Sequence, residues 1–121
     1  MSEVRVKRAY DPPAVDDGFR VLVDGLWPRG LTRDAAQVDL WLKEAAPSAS
    51  LRRWFDHDPA KWQGFQDRYQ AELVGNAALD ELRALVEGGR RVTLLFGAKD
   101  TEHNNAMVLQ AICERGLRDA R

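Results

Sequence analysis

Two short stretches gather the side chains whose types could do chemistry. One runs from Asp24 through Trp27 and Arg29 to Gly30. The other runs from Gly97 through Lys99 and His103 to Asn105. Arg29 and Lys99 are cations, and an arginine can grip a carboxylate or phosphate with two parallel hydrogen bonds. A helix that starts just after Lys99 would add unpaired N–H groups and partial positive charge. Together these suit an anionic ligand. Asp24 and His103 form a candidate acid–base pair, because a carboxylate can orient an imidazole that titrates near neutrality. Trp27 and Asn104 would complete the pocket. Each assignment has a structural alternative. Arg29 or Lys99 can pair with an aspartate and tie loops together, and His103 can simply hydrogen-bond a neighbour in a first helical turn capped by Asp100 or Thr101. Asn104 and Asn105 can face water.

Other constellations point away from specific chemistries. Asp56-His57-Asp58 offers one imidazole, and His57 with His103 gives only two, with no Cys pair and no His-x-x-x-His spacing. No metal site is expected, and His57 reads as a packing or hydrogen-bonding residue between two helices. There is no Walker-type phosphate loop, no Gly-x-Gly-x-x-Gly run and no Gly-x-Ser-x-Gly elbow, so no cofactor is assigned and no catalytic residue is named. Trp41, Trp54, Phe55, Trp62, Phe65 and Tyr69 could stack bases. Their largely helical spacing instead makes them core. Arg52-Arg53 and Arg90-Arg91 read as solvated pairs. Cys113, the one cysteine, reads as a small buried hydrophobe.

The elements that must position these residues follow from periodicity. Val4 to Ala9 alternates apolar and basic residues as a half-buried strand does. Phe19 to Leu26 reads as a buried strand, and Trp27-Pro28-Arg29-Gly30 must leave it. Val38 to Ala45 fits either a short strand or an irregular packed segment. Ser48 caps a helix carrying Leu51, Trp54 and Phe55. Asp58-Pro59 starts the next, with Trp62, Phe65, Tyr69 and Leu73 on one face. Gly75-Asn76 ends it and caps a third, with Leu79, Leu82, Leu85 and Val86, which Gly88-Gly89 terminates. Arg91 to Phe96 is the clearest strand. A final helix is expected from about Glu102 to about Glu114. Strands separated by helices favour parallel pairing with helices on both faces. The expected fold is therefore α/β: a small three-layer sandwich, with a mainly parallel sheet of three or four strands flanked by helices. Ligands in such sheets sit beyond the carboxyl ends of the strands. That rule brings both loops to one edge, provided the strands at Phe19 and Arg91 are neighbours.

Bulk properties set the class. The 121 residues suit one domain over 1–121, with 45% hydrophobic and 31% charged residues. The net charge of −1 argues against a nucleic-acid partner, because phosphate neutralisation needs a positive excess. The longest largely apolar stretch, Val92 to Ala98, is too short to cross a bilayer. The charged start shows no signal peptide, and one cysteine fits a reducing compartment, so a cytoplasmic setting is expected.

Arg20-Val-Leu-Val-Asp24, Leu26-Trp-Pro-Arg-Gly30, Trp41-Leu-Lys43, Ala46-Pro-Ser48, Leu51-Arg52 with Trp54-Phe55, and His57-Asp-Pro59 with Trp62 form a specific series. With Phe65, Tyr69, Glu72-Leu73, Thr93-Leu-Leu-Phe96, Ala98-Lys-Asp100 and His103-Asn104, it resembles the YeaO-like family over nearly the whole chain. That family lies within the group called domain of unknown function, class 488. The resemblance implies a bacterial-type single-domain α/β protein and names no reaction. Two departures stand out. The family pattern commonly has an arginine after the strand aspartate, where this chain has Gly25. The wider group tends to carry cysteines and a Cys-His-Arg-like run where this chain has Gly97-Ala98-Lys99 and His103-Asn104-Asn105, which argues against thiol chemistry there. The functional expectation is a pocket for a small anionic molecule, with or without catalysis. The alternative is a non-enzymatic interaction module, as a monomer or a homodimer.

Overall fold

The computed structural model describes residues 3–116. Strand β1 spans Val4–Arg8 and β2 spans Phe19–Leu22. The short helix α1 (Arg33–Ala36) and the two-residue strand β3 (Leu40–Trp41) follow. Then come helices α2 (Ala49–Phe55), α3 (Trp62–Leu73) and α4 (Ala77–Glu87). Strand β4 (Val92–Phe96) and helix α5 (Asn105–Arg115) close the described chain. The four strands form one sheet in the order β1-β4-β2-β3, and every pairing is parallel. This is the expected small α/β sandwich. Because β2 and β4 are neighbours, the loops that leave their carboxyl ends start side by side.

Alternation along the strands divides the two faces. Val21, Val23, Val92, Leu94 and Phe96 join the large core made with α2 to α5. Leu22 and Leu95 point the other way and pack with Ala9 under Trp27, Leu31, Val38 and Trp41. The second layer is therefore thin, built from the loop around α1 rather than from long helices. It also contains Arg20, a cation buried in a strand. Its guanidinium meets the Asp17 carboxylate at 2.6 Å and donates to the carbonyls of Ala36 and Gln37. Those carbonyls end α1, where no helical N–H remains to satisfy them. Lys7 bonds the same carboxylate at 3.1 Å, so this buried charge cluster joins β1, β2 and α1.

Local capping explains most boundaries. The side chains of Ser48, Asp58 and Asn76 accept N–H bonds from Leu51, Ala60 and Leu79. Two expectations need correction. Strand β2 ends at Leu22 rather than running on to Leu26, because residues 24–26 bend into the loop that leads to α1 and its cap Thr32. The last helix begins at Asn105, not Glu102. Asp100 Oδ1 captures the N–H groups of Glu102 and His103 in a turn, at 2.9 Å each, and Asn104 is the cap. No helix of the described residues is long and apolar enough to cross a membrane.

Candidate functional site

The two loops are joined at their roots. Asp24 Oδ2 accepts a 2.8 Å hydrogen bond from the Gly97 N–H. The Asp24 carbonyl accepts from the Trp41 indole at 2.7 Å, and Asn105 donates to the Val23 carbonyl at 2.9 Å. Trp27 donates to the Leu31 carbonyl and meets Trp41 edge-on, with ring centroids 5.6 Å apart. These contacts fold the loop after β2 back on itself and hold it open above the sheet edge.

A hollow of about 600 Å³ lies there. That volume suits a metabolite rather than a single inorganic ion. Of the six residues expected to form a site, Asp24, Trp27, Arg29, His103 and Asn104 line it. Lys99 does not. It is exposed on the loop and lies outside the lining. The second cation on the hollow is Arg52 of α2, a residue whose sequence reading was a solvated pair with Arg53. Neither Arg29 nor Arg52 forms a salt bridge among the described residues. Helical spacing gave the only available signal for Arg52: it follows the buried Leu51 and lies one turn before Phe55.

The expected Asp24–His103 pair does not form. His103 Nδ1 lies 2.9 Å from Asp100 Oδ2. Its ring stands edge-on to Trp62, with centroids 5.3 Å apart. Asp100 is held below the usual carboxylate range by the N–H groups of Glu102 and His103 and by the His103 ring. Asp24 goes the other way: burial pushes its carboxyl up, against smaller opposing effects from Gly97, Asn105 and Arg52. Asn104 is buried, at 3% exposure, and both ends of its amide are engaged. Its Oδ1 accepts from Met107 N–H and its Nδ2 donates to the Asp100 carbonyl, each at 3.0 Å. It shapes the floor rather than reaching into it. His57, expected between helices, is exposed in a left-handed turn with φ of 55° and lines the hollow from the far side. Among the described residues no three His, Cys, Asp or Glu side chains converge as metal ligands.

Over residues 3–121 the sequence matches the family described as the inactive DUF488-N3 subclade. The chain belongs to this family. It is also 39% identical to the uncharacterized protein YeaO of Escherichia coli over 106 residues, 88% of this chain and 92% of that protein. The uncharacterized protein Rv3073c of Mycobacterium tuberculosis is 44% identical over 108 residues, 89% of this chain and 91% of its own length. No solved structure matches. These relatives carry no stated activity in their names, so chemistry must be read from the hollow itself. There the departure at Gly25 has a consequence. Gly25 lines the hollow, and a Cβ added at it would meet only Ala46 Cβ, at 3.6 Å. A long cation at this place would project over the space that glycine leaves open.

Proposed function

We propose that this protein binds a small anionic ligand in the hollow at the carboxyl ends of its strands, and that it holds the ligand without breaking a bond. One observation carries the reading: two guanidinium groups, Arg29 and Arg52, line the same hollow without carboxylate partners at salt-bridge distance. A guanidinium stays charged at any physiological pH and offers a planar fork for carboxylate or phosphate. Arg52 takes the part first given to Lys99. The subclade's description as inactive favours binding over turnover, as does the absence of a nucleophile beside His103 among the lining residues. His103, oriented by Asp100, serves as a hydrogen-bonding group. The setting is the cytoplasm, in keeping with a single cysteine. Membranes and nucleic acids are not among the partners.

Thermal unfolding in the presence of citrate and inorganic phosphate tests this. A ligand selective for the folded state raises the midpoint, by about 2.7 kcal/mol of stability at a hundred times its Kd. A saturable rise is expected with the natural sequence and is lost in Arg29→Ala and Arg52→Ala. A rise in both variants as large as that of the natural sequence would remove the site.

A further inference from the structure

The hollow is bipolar, and that restricts the ligand beyond its charge. Asp24 lies on it beside Gly97 and Asn105. A carboxylate has about four acceptor positions, and the Gly97 N–H uses one of them. A bare anion placed there would meet Asp24 as a like charge, so the deep end calls for a hydrogen-bond donor. The cations, Arg29 and Arg52, are both exposed and stand at the rim. Between them the wall is apolar. Only four large apolar side chains are exposed among the described residues, and two of them, Leu26 (69%) and Tyr10 (39%), line this hollow. Trp27 and Phe55 continue the wall. Aromatic surfaces accept planar rings by stacking, and a ring seated there would cover apolar area that the fold leaves in water.

The geometry points to a planar, N–H-bearing aromatic ligand joined to a phosphate or carboxylate: its N–H donates to Asp24, its ring lies against Tyr10, Leu26 and Trp27, and its anionic group meets Arg29 and Arg52. This rests on the anion-binding reading and narrows it.

Isothermal titration calorimetry on the full chain tests the class with two matched pairs. Guanosine 5′-monophosphate is set against ribose 5-phosphate, and indole-3-acetate against acetate. At least one probe with an aromatic ring binds about tenfold or more tighter than its partner without one, and the pair that responds identifies the tail as phosphate or carboxylate. Asp24→Asn keeps an oxygen for Gly97 but presents an N–H₂ to the ligand donor. It weakens that aromatic probe about tenfold and leaves its non-aromatic partner unweakened. Arg29→Ala and Arg52→Ala weaken both members of the pair. Non-aromatic anions that bind as tightly as their aromatic partners, or an Asp24→Asn variant with unchanged affinity for the aromatic probe, overturn the proposed class while leaving an anion site. Absence of any arginine-dependent binding overturns both the class and the anion site. Far-UV circular dichroism of each variant checks that it is folded.

Discussion

At Asp24, burial and hydrogen bonding pull in opposite directions, and burial wins: the carboxyl rises above its ordinary value of 3.8. The fold therefore prefers the protonated form. The contribution of this group is fully present below about pH 4 and is lost as pH rises through the raised value. Asp24→Asn removes that loss. Its thermal midpoint should exceed that of the natural sequence at pH 7, and the gap should close on titration below pH 4. A lower midpoint at pH 7 would show that the Asp24 charge is net stabilising, through Arg52. Cys113 offers a second reading at this scale. Burial pushes its thiol up to about 11, so at pH 7 only about one molecule in ten thousand carries the reactive thiolate. Iodoacetamide should label the folded protein far more slowly than the urea-unfolded chain. Fast labelling of the native state would contradict the partial burial of this side chain against the core, which is less than the full burial the sequence suggested. Both residues were visible in the sequence, but only Cys113 had a local pattern, its place in a helix, that indicated its environment.

Element boundaries here are set by single side chains, and they can be moved one at a time. Asn104→Ala removes the side-chain cap of α5 and leaves the Met107 N–H with only its longer bond to the residue 104 carbonyl, at 3.2 Å. The expected cost is about 2 kcal/mol, measured by urea unfolding, and Asn104→Asp should recover part of it by keeping the accepting oxygen. A neutral result would mean that the Asp100 turn alone fixes the helix start. Gly18 and Gly25 make a paired test. Gly18 has φ of 69°, and a Cβ there would come within 2.5 Å of the Arg91 carbonyl oxygen. That contact would push apart the chain segments leading into β2 and β4. Gly18→Ala should cost on the order of 3 kcal/mol. Gly25→Ala, with ordinary contact to Ala46, should change stability by less than about 1 kcal/mol. Similar losses in the two variants would contradict the difference in their surroundings. The sequence marked α2, α4 and the 3-10 turn (residues 59–61) that leads into α3 through Ser48, Asn76 and Asp58 because a cap acts within three residues. It did not mark the three-residue delay of α5, since Asp100, Thr101 and Asn104 all offer capping oxygens and tertiary contacts choose among them.

Across the whole molecule, β4 is the central load, with all five residues buried. Leu94 faces the helices from within it and is fully buried. Leu94→Ala should cost between about 2 and 5 kcal/mol, in a transition that stays cooperative by circular dichroism and fluorescence. Non-coincident transitions would show that the thin layer around α1 unfolds separately. The sequence by itself determined a mainly parallel sheet of three or four strands and the helical core, because apolar periodicity and capping are relations between residues a few positions apart, while the fourth strand and the strand order were left to the tertiary fold. Arg20 escaped it, since nothing near that residue announces that a strand cation meets Asp17 and the end of α1. Tertiary structure alone decided which side chains share the hollow. The Asp24–Gly97 bond spans 73 positions. Arg52 reaches the site from a different helix, while Lys99, adjacent in sequence to the turn, lies outside the lining. The physical reason is range. Backbone conformation follows from neighbours, whereas the direction of a loop side chain follows from whatever distant surface the folded chain brings against it.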